Sequence, residues 1–191
     1  MFNMSNKKEP RIITVNRFNE QEALQFRAMF RKIIDAGQSI VPIVIDSYGG
    51  EVYSLMSMAE TISESRVPVA TIATGKAMSC GSLLLSFGTE GMRYIGPLAT
   101  VLIHDVSAMS MGKVHELRTS VDEAERLNKL AYETMAKNIG KPKNYFLNML
   151  RDNKHHADWF LTAKEAKEIN LANHIKIPTI KIDIMNKITL E

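Results

Sequence analysis

Between Pro68 and Phe87 the chain changes character abruptly. Pro68-Val69-Ala70-Thr71-Ile72-Ala73 is apolar and β-branched, and reads as a buried strand. Leu83-Leu84-Leu85-Ser86-Phe87 reads as the buried part of a helix. The residues between them, Thr74-Gly75-Lys76-Ala77-Met78-Ser79-Cys80-Gly81-Ser82, are mostly small. A strand that runs almost directly into a helix needs a tight crossing, and the crossing falls at Ser79.

The preceding chain keeps the same alternation. Arg11-Ile12-Ile13-Thr14-Val15 is a first strand. Asn19 opens a helix with Glu22 in the capping-box place. Phe26, Met29, Phe30, Ile33 and Ile34 share one face of it, and Gly37 is a fitting stop. Val41 to Ile45 is the second strand, Asp46-Ser47-Tyr48-Gly49-Gly50 a turn, and Val52 to Ser65 a helix. Met92 to Ile95 and Thr100 to Ile103 are short strands around Gly96-Pro97. Strands alternating with helices predict an α/β domain with a mostly parallel sheet and flanking helices. Right-handed crossovers then bring the Gly49-Gly50 turn and the Ser79 turn to one sheet edge, where sites form in such folds.

After His104 the period changes. Leu117, Val121, Ala124, Leu127, Ala131 and Met135 recur at threes and fours, which predicts one long amphipathic helix from Gly112 to Asn138. It is longer than a small sheet needs for cover. Either it projects and packs on another subunit, or it lies across its own domain. Lys143 to Asp152 is a short helix after Pro142, and Ile180 to Ile184 an edge strand. Thr162 to Ile169 is another helix, with Glu165 in the capping-box place and Asn170 as a left-handed stop. A chain of 191 residues suits a single domain, here residues 1–191 with a short N-terminal segment over 1–10.

Composition removes several functional classes. Net charge is +3 and no dense Lys/Arg run accompanies aromatic residues, so no nucleic-acid partner is expected. Met1 to Pro10 lacks the apolar core of a signal peptide, and no stretch is apolar enough to span a membrane. Cys80 is the only cysteine, so there is no intrachain disulfide, which fits a reducing cytoplasm. No cofactor and no metal are called for.

Acyl transfer needs a nucleophile, a base, a group that orients the base, and donors for the oxyanion. A strand-to-helix crossing can lift the Ser79 hydroxyl above the sheet and set the Cys80 N–H at a helix mouth. Hydrolase elbows use this geometry, although G-x-S-x-G itself is absent. His104 ends the apolar run Thr100-Val101-Leu102-Ile103, on a strand expected beside that of Ser79. Asp158 precedes Trp159-Phe160-Leu161, and Gly49-Gly50 could bring a second N–H to the same point. Each has a plainer reading: a packing serine, a satisfied strand-end histidine, a solvated loop end, an ordinary turn.

Ile45-Asp46-Ser47-Tyr48-Gly49-Gly50-Glu51-Val52 resembles the I-N-S-P-G-G stretch of the ClpP peptidases. Gly75-Lys76-Ala77-Met78-Ser79-Cys80-Gly81-Ser82-Leu83-Leu84-Leu85 is similar to their G-x-A-x-S-x-G-x-L-L-L segment. Met92-Arg93-Tyr94, the strand ending Ile103-His104, and Ala157-Asp158-Trp159-Phe160-Leu161-Thr162-Ala163-Lys164-Glu165-Ala166 resemble later motifs in the same order. The likeness runs from Arg11 to Ile175. It implies the ClpP/crotonase fold and a serine endopeptidase of peptides or unfolded proteins. Ser79 would be nucleophile, His104 base and Asp158 orienting acid, with the N–H groups of Gly50 and Cys80 as oxyanion hole. Gly49, Glu51, Val52, Asp105 and Val106 would bind substrate. Two stacked seven-membered rings, joined by a handle at about 105–140, would enclose the sites and dock an AAA+ unfoldase of the ClpX or ClpA type.

The sequence departs from that pattern at named places. Tyr48 stands where Pro is usual, Lys76 where Gln is common, and Asp105 to Met111 is not glycine-rich. The segment before the first strand is short for a gating loop. The rival readings are a crotonase-like acyl-CoA enzyme, a non-catalytic ring subunit, a Ser79–Lys76 dyad and a Cys80 nucleophile.

Overall fold

The computed structural model describes residues 10–107, 110–151 and 158–181. The elements run β1 (Ile13–Val15), α1 (Glu20–Asp35), β2 (Val41–Ser47), α2 (Val52–Ser63), β3 (Val69–Met78) and α3 (Cys80–Ser86). Then follow β4 (Arg93–Ile95), β5 (Thr100–His104), α4 (Val114–Asn138), α5 (Tyr145–Arg151), β6 (Asp158–Thr162), α6 (Ala163–Glu168) and β7 (His174–Ile175). The fold is the expected α/β arrangement with a mostly parallel sheet. Strands are ordered β1-β2-β3-β4-β7, and β5 branches from β3 to carry β6. Among these pairings only β5 with β6 is antiparallel.

Local chemistry accounts for the element ends. The Asn19 side chain accepts from the Glu22 N–H and starts α1; Thr162 and Glu165 form a reciprocal capping box at α6. Asn170 takes the left-handed conformation, φ 68°, that ends the turn after α6. Phe26, Phe30 and Ile33 of α1 and Leu55, Met58 and Ile62 of α2 enter one core with Val41, Ile43 and Ile45 of β2. Met29 and Ile34 flank that stripe and stay partly exposed. No helix among the described residues is long and apolar enough to cross a membrane.

The short strand β7, paired with β4, is not among the expected elements, and two further regions differ from expectation. Asp158 to Thr162 is a strand, with Trp159 and Leu161 buried and Phe160 exposed. The large exposed Phe160 disguises the two-residue alternation as a continuous apolar run. Lys181 closes the described C-terminal segment outside any strand, and the rest of the expected edge strand lies beyond the described residues. Asp152, His155, His156 and Ala157 also lie outside them, as do Ala108 and Met109.

Arg93 sits at the sheet's far side, 1% exposed, with its guanidinium on the carbonyls of Gly88 and Asn170 and on Glu90. The Arg93 backbone N–H and C=O both bond Asn173. Arg93→Ala therefore leaves two carbonyls without a donor and a hole beside them. We expect a loss of about 3 kcal/mol, read as a melting temperature lower by about 10 °C. An unchanged melting temperature would mean that water replaces the guanidinium at no net loss.

Candidate active site

β2 and β3 lie side by side and parallel, so the turns that follow them emerge at the same end of the sheet. After β3 the chain turns at Ser79, with φ 54° and ψ −120°, a conformation that side-chain-bearing residues rarely hold. The Ser79 N–H is anchored to the Leu102 carbonyl of β5 at 2.9 Å, and its own carbonyl accepts from Ser82 at 3.0 Å. As the first residue of α3, Cys80 has an N–H that the helix leaves unpaired.

The turn after β2 is held against Ser79. The Gly49 N–H donates to the buried Ser47 hydroxyl at 3.1 Å. A methyl group on Gly49 would stand 2.7 Å from the Ser79 Cβ, so only glycine permits this approach. Gly50 bridges in parallel to Phe18, and the Glu51 N–H donates to the Phe18 carbonyl at 2.8 Å. Nothing in the sequence pattern marks Phe18 as a support of this turn; Ser47 is marked only by its place in the stretch before Gly49-Gly50.

β5 pairs with β3 through Lys76↔Thr100, Ala77↔Val101 and Met78↔Leu102. This register sets His104, the last residue of β5, beside the Ser79 turn. On its other side β5 pairs with β6, and His104 stands directly opposite Asp158. Their side chains meet with His104 Nδ1 3.6 Å from Asp158 Oδ1. That contact is longer than a formed hydrogen bond, as contacts of this kind often are before a substrate is bound.

Ser79 and His104 line one cleft of about 250 Å³, with Gly50, Cys80, Val52 and Val106 also in its wall. Leu55, Leu83, Ala131 and Met135 give one part of the wall an apolar surface. Gly49, Glu51 and Asp105 do not line it. The Glu51 carboxylate accepts from the Ser54 hydroxyl, and the Asp105 carboxylate from the Tyr132 hydroxyl. Asn128 and Tyr132 of α4 face the cleft as well, although the helical stripe did not single them out.

The two departures near the nucleophile turn meet each other. The register of β2 on β3 shifts between Ile45 and Ser47, where β3 carries extra residues. Lys76 is turned back to Asp46, 2.7 Å away, and its ammonium lies 4.5 Å from the centre of the Tyr48 ring. The Asp46 carboxylate holds Lys76 protonated, above its ordinary range. The Lys76 ammonium is engaged by Asp46, and Lys76 does not line the cleft, which disfavours a Ser–Lys dyad. Cys80 is buried with its Sγ 3.2 Å from the Gly50 carbonyl, and burial pushes its thiol up to about 11. A buried thiol held above its ordinary range is a poor nucleophile. Thiol titration of the folded protein at pH 8 is expected to be slow and to leave activity unchanged until Cys80 is modified. Rapid reaction would show an exposed or activated sulfur.

The sheet edge, the Ser79 turn and the opposed His104 and Asp158 occupy the region that a Clp protease family profile matches, residues 7–178. The chain belongs to the Clp protease family. Among family members it is 35% identical over 137 residues to ATP-dependent Clp protease proteolytic subunit 2 of Corynebacterium jeikeium. That match covers 71% of this chain and 63% of the relative. It is 34% identical over 137 residues to proteolytic subunit 3 of Nocardia farcinica, covering 71% and 60%. With the proteolytic subunit of Bacteroides fragilis it shares 31% over 154 residues, covering 81% and 72%. The match thus spans under two thirds of the length of the Corynebacterium and Nocardia relatives.

Proposed function

We propose that this chain is a serine endopeptidase in which Ser79 is the nucleophile, His104 the base and Asp158 the group that orients it. The observation that carries this reading is the opposition of His104 and Asp158 across β5 and β6, next to a strained serine turn. His104 removes the Ser79 proton as the hydroxyl attacks a peptide carbonyl, then returns it to the leaving amine. Asp158 faces Nδ1, which leaves the other ring nitrogen for Ser79. The N–H groups of Gly50 and Cys80 receive the oxyanion. The apolar wall of Leu55, Leu83 and Met135 suits an apolar side chain beside the scissile bond. Residues 1–191 then make up one peptidase domain working in the cytoplasm, where unfolded chains and peptides are the substrates.

A fluorophosphonate probe followed by peptide mass spectrometry tests the assignment. Labelling is expected at Ser79 alone and is expected to vanish in His104→Ala. Labelling at another serine would overturn it. A crotonase-like acyl-CoA reaction needs no serine nucleophile, so it predicts no labelling at all.

The reading extends to assembly. The relatives are named as proteolytic subunits of ATP-dependent proteases, and we read this chain as one subunit of two stacked rings that receive substrate from an AAA+ unfoldase. The long helix supports this in one half. Its buried residues are Leu127, Tyr132, Met135 and Ala136, all towards its C-terminus. Leu127 therefore belongs to the subunit's own packing and cannot report on assembly. Val114 and Val121 remain largely exposed on the outer half, an apolar edge that a facing subunit would cover. Val121→Glu is expected to halve the particle in light scattering while leaving the circular dichroism spectrum unchanged. A particle of unchanged size would remove the outer half of α4 from the ring contact.

A further inference from the structure

We infer that Tyr132 and Asp105 form a positioning pair that holds His104 in its working orientation from the handle helix of the same subunit. The inference rests on the reading of His104 as the base.

Asp105 immediately follows His104, where β5 ends. Its carboxylate accepts a hydrogen bond from the Tyr132 hydroxyl at 2.6 Å. Tyr132 is 3% exposed, so this bond is shielded on the tyrosine side and its ring cannot move without repacking. The ring stands against Phe146, with centroids 6.5 Å apart, and Phe146 stands 6.3 Å from Trp159. Trp159 is the residue after Asp158. One side chain thus reaches both members of the His104–Asp158 pair through their chain neighbours. Its hydroxyl fixes the residue after the base, and its ring stands against Phe146, which backs the residue after the acid. Burial and the neighbouring carboxylate hold the Tyr132 hydroxyl protonated, so it stays a donor.

Two further contacts lie along the same path. The Val106 N–H donates to the Asn128 side-chain oxygen at 2.6 Å, and the Ser110 and Ser120 hydroxyls are 3.0 Å apart. Positions 105, 106 and 110 therefore meet 132, 128 and 120 in reverse order. The strand exit is laid along one side of α4, and His104 cannot slide out of register without breaking these bonds. In this chain the residues after His104 are not glycine-rich, and their attachment is to their own helix.

The test uses the assembled protein, a short fluorogenic peptide and the fluorophosphonate probe. Tyr132→Phe removes one oxygen and keeps the ring packing. Labelling of Ser79 and kcat are expected to fall together, by about ten- to a hundred-fold, with KM changed less than about twofold. Asp105→Ala should reproduce that loss, and the double variant should be no slower than either single one. Asp105→Asn, whose amide oxygen can still accept from Tyr132, should restore most of the rate. Asp105 is exposed, so its variants carry the test even if Tyr132→Phe fails to fold. Wild-type labelling in Tyr132→Phe, a loss confined to KM, or Asp105→Asn as slow as Asp105→Ala would each overturn the inference. Those results leave the site itself standing. An unlabelled wild-type Ser79, or His104→Ala labelled at the wild-type rate, would overturn the site and the positioning pair with it.

Discussion

Ser79→Ala is expected to lower peptide hydrolysis by three to six orders of magnitude, an estimate of about 10³ to 10⁶ from other serine-based catalytic units. The loss is expected without unfolding, because the Ser79 side chain borders the cleft and its backbone N–H to Leu102 is untouched by the change. His104→Ala should cost a similar factor. The double variant should be little slower than either, because a nucleophile without its base and a base without its nucleophile fail at the same step. Steady-state kinetics on one fluorogenic peptide, with all three proteins at equal concentration, decides the matter. Losses that multiply would mean that the two residues serve separate steps.

Gly50→Ala is expected to cost about a hundred- to a thousand-fold in kcat, the range for losing one oxyanion donor. A methyl group there would lie 2.3 Å from the Phe18 carbonyl oxygen, at a φ of +150°. The contact is with backbone, so no side-chain rotation relieves it; the turn itself must shift. Its N–H then moves away from the place proposed for the oxyanion. Gly91→Ala is the matching control, since φ is +80° but no atom lies within 4 Å of the added methyl. It carries the backbone strain without the clash, and its kcat should match wild type. A Gly50→Ala protein at full rate would remove that N–H from the oxyanion hole.

Much of this was readable in the residues. The Asn19 and Thr162 caps, the Asn170 stop and the alternation of strands with helices are local effects, and local chemistry sets them wherever the chain folds. The approach of the Gly49-Gly50 turn to Ser79 follows from parallel neighbours having their ends on one side. The rest depends on register. Nothing in periodicity says that Asp158 lies opposite His104 rather than Phe160, since that is fixed by which residues of β5 and β6 meet. The Lys76 contact with Asp46 and Tyr48 arises from extra residues in β3, which no propensity announces. Tyr132 sits next to the expected stripe position Ala131, so its burial reads as ordinary helix packing until Asp105 is seen against it. The long helix answers in part to both sequence readings: its C-terminal half is buried on its own subunit, while Val114 and Val121 of the other half stay exposed.

The pairing of β5 with β6 also sets what can change length. His104 and Asp158 are joined through the ladder, and the whole excursion through α4 and α5 leaves and returns at that clasp. Adding or removing whole turns in the outer half of α4, before Ser120, would alter how far the helix reaches without altering the register that opposes His104 to Asp158. In the proposed assembly, the distance between facing subunits could therefore drift, or be engineered, while the geometry around Ser79 stays as it is.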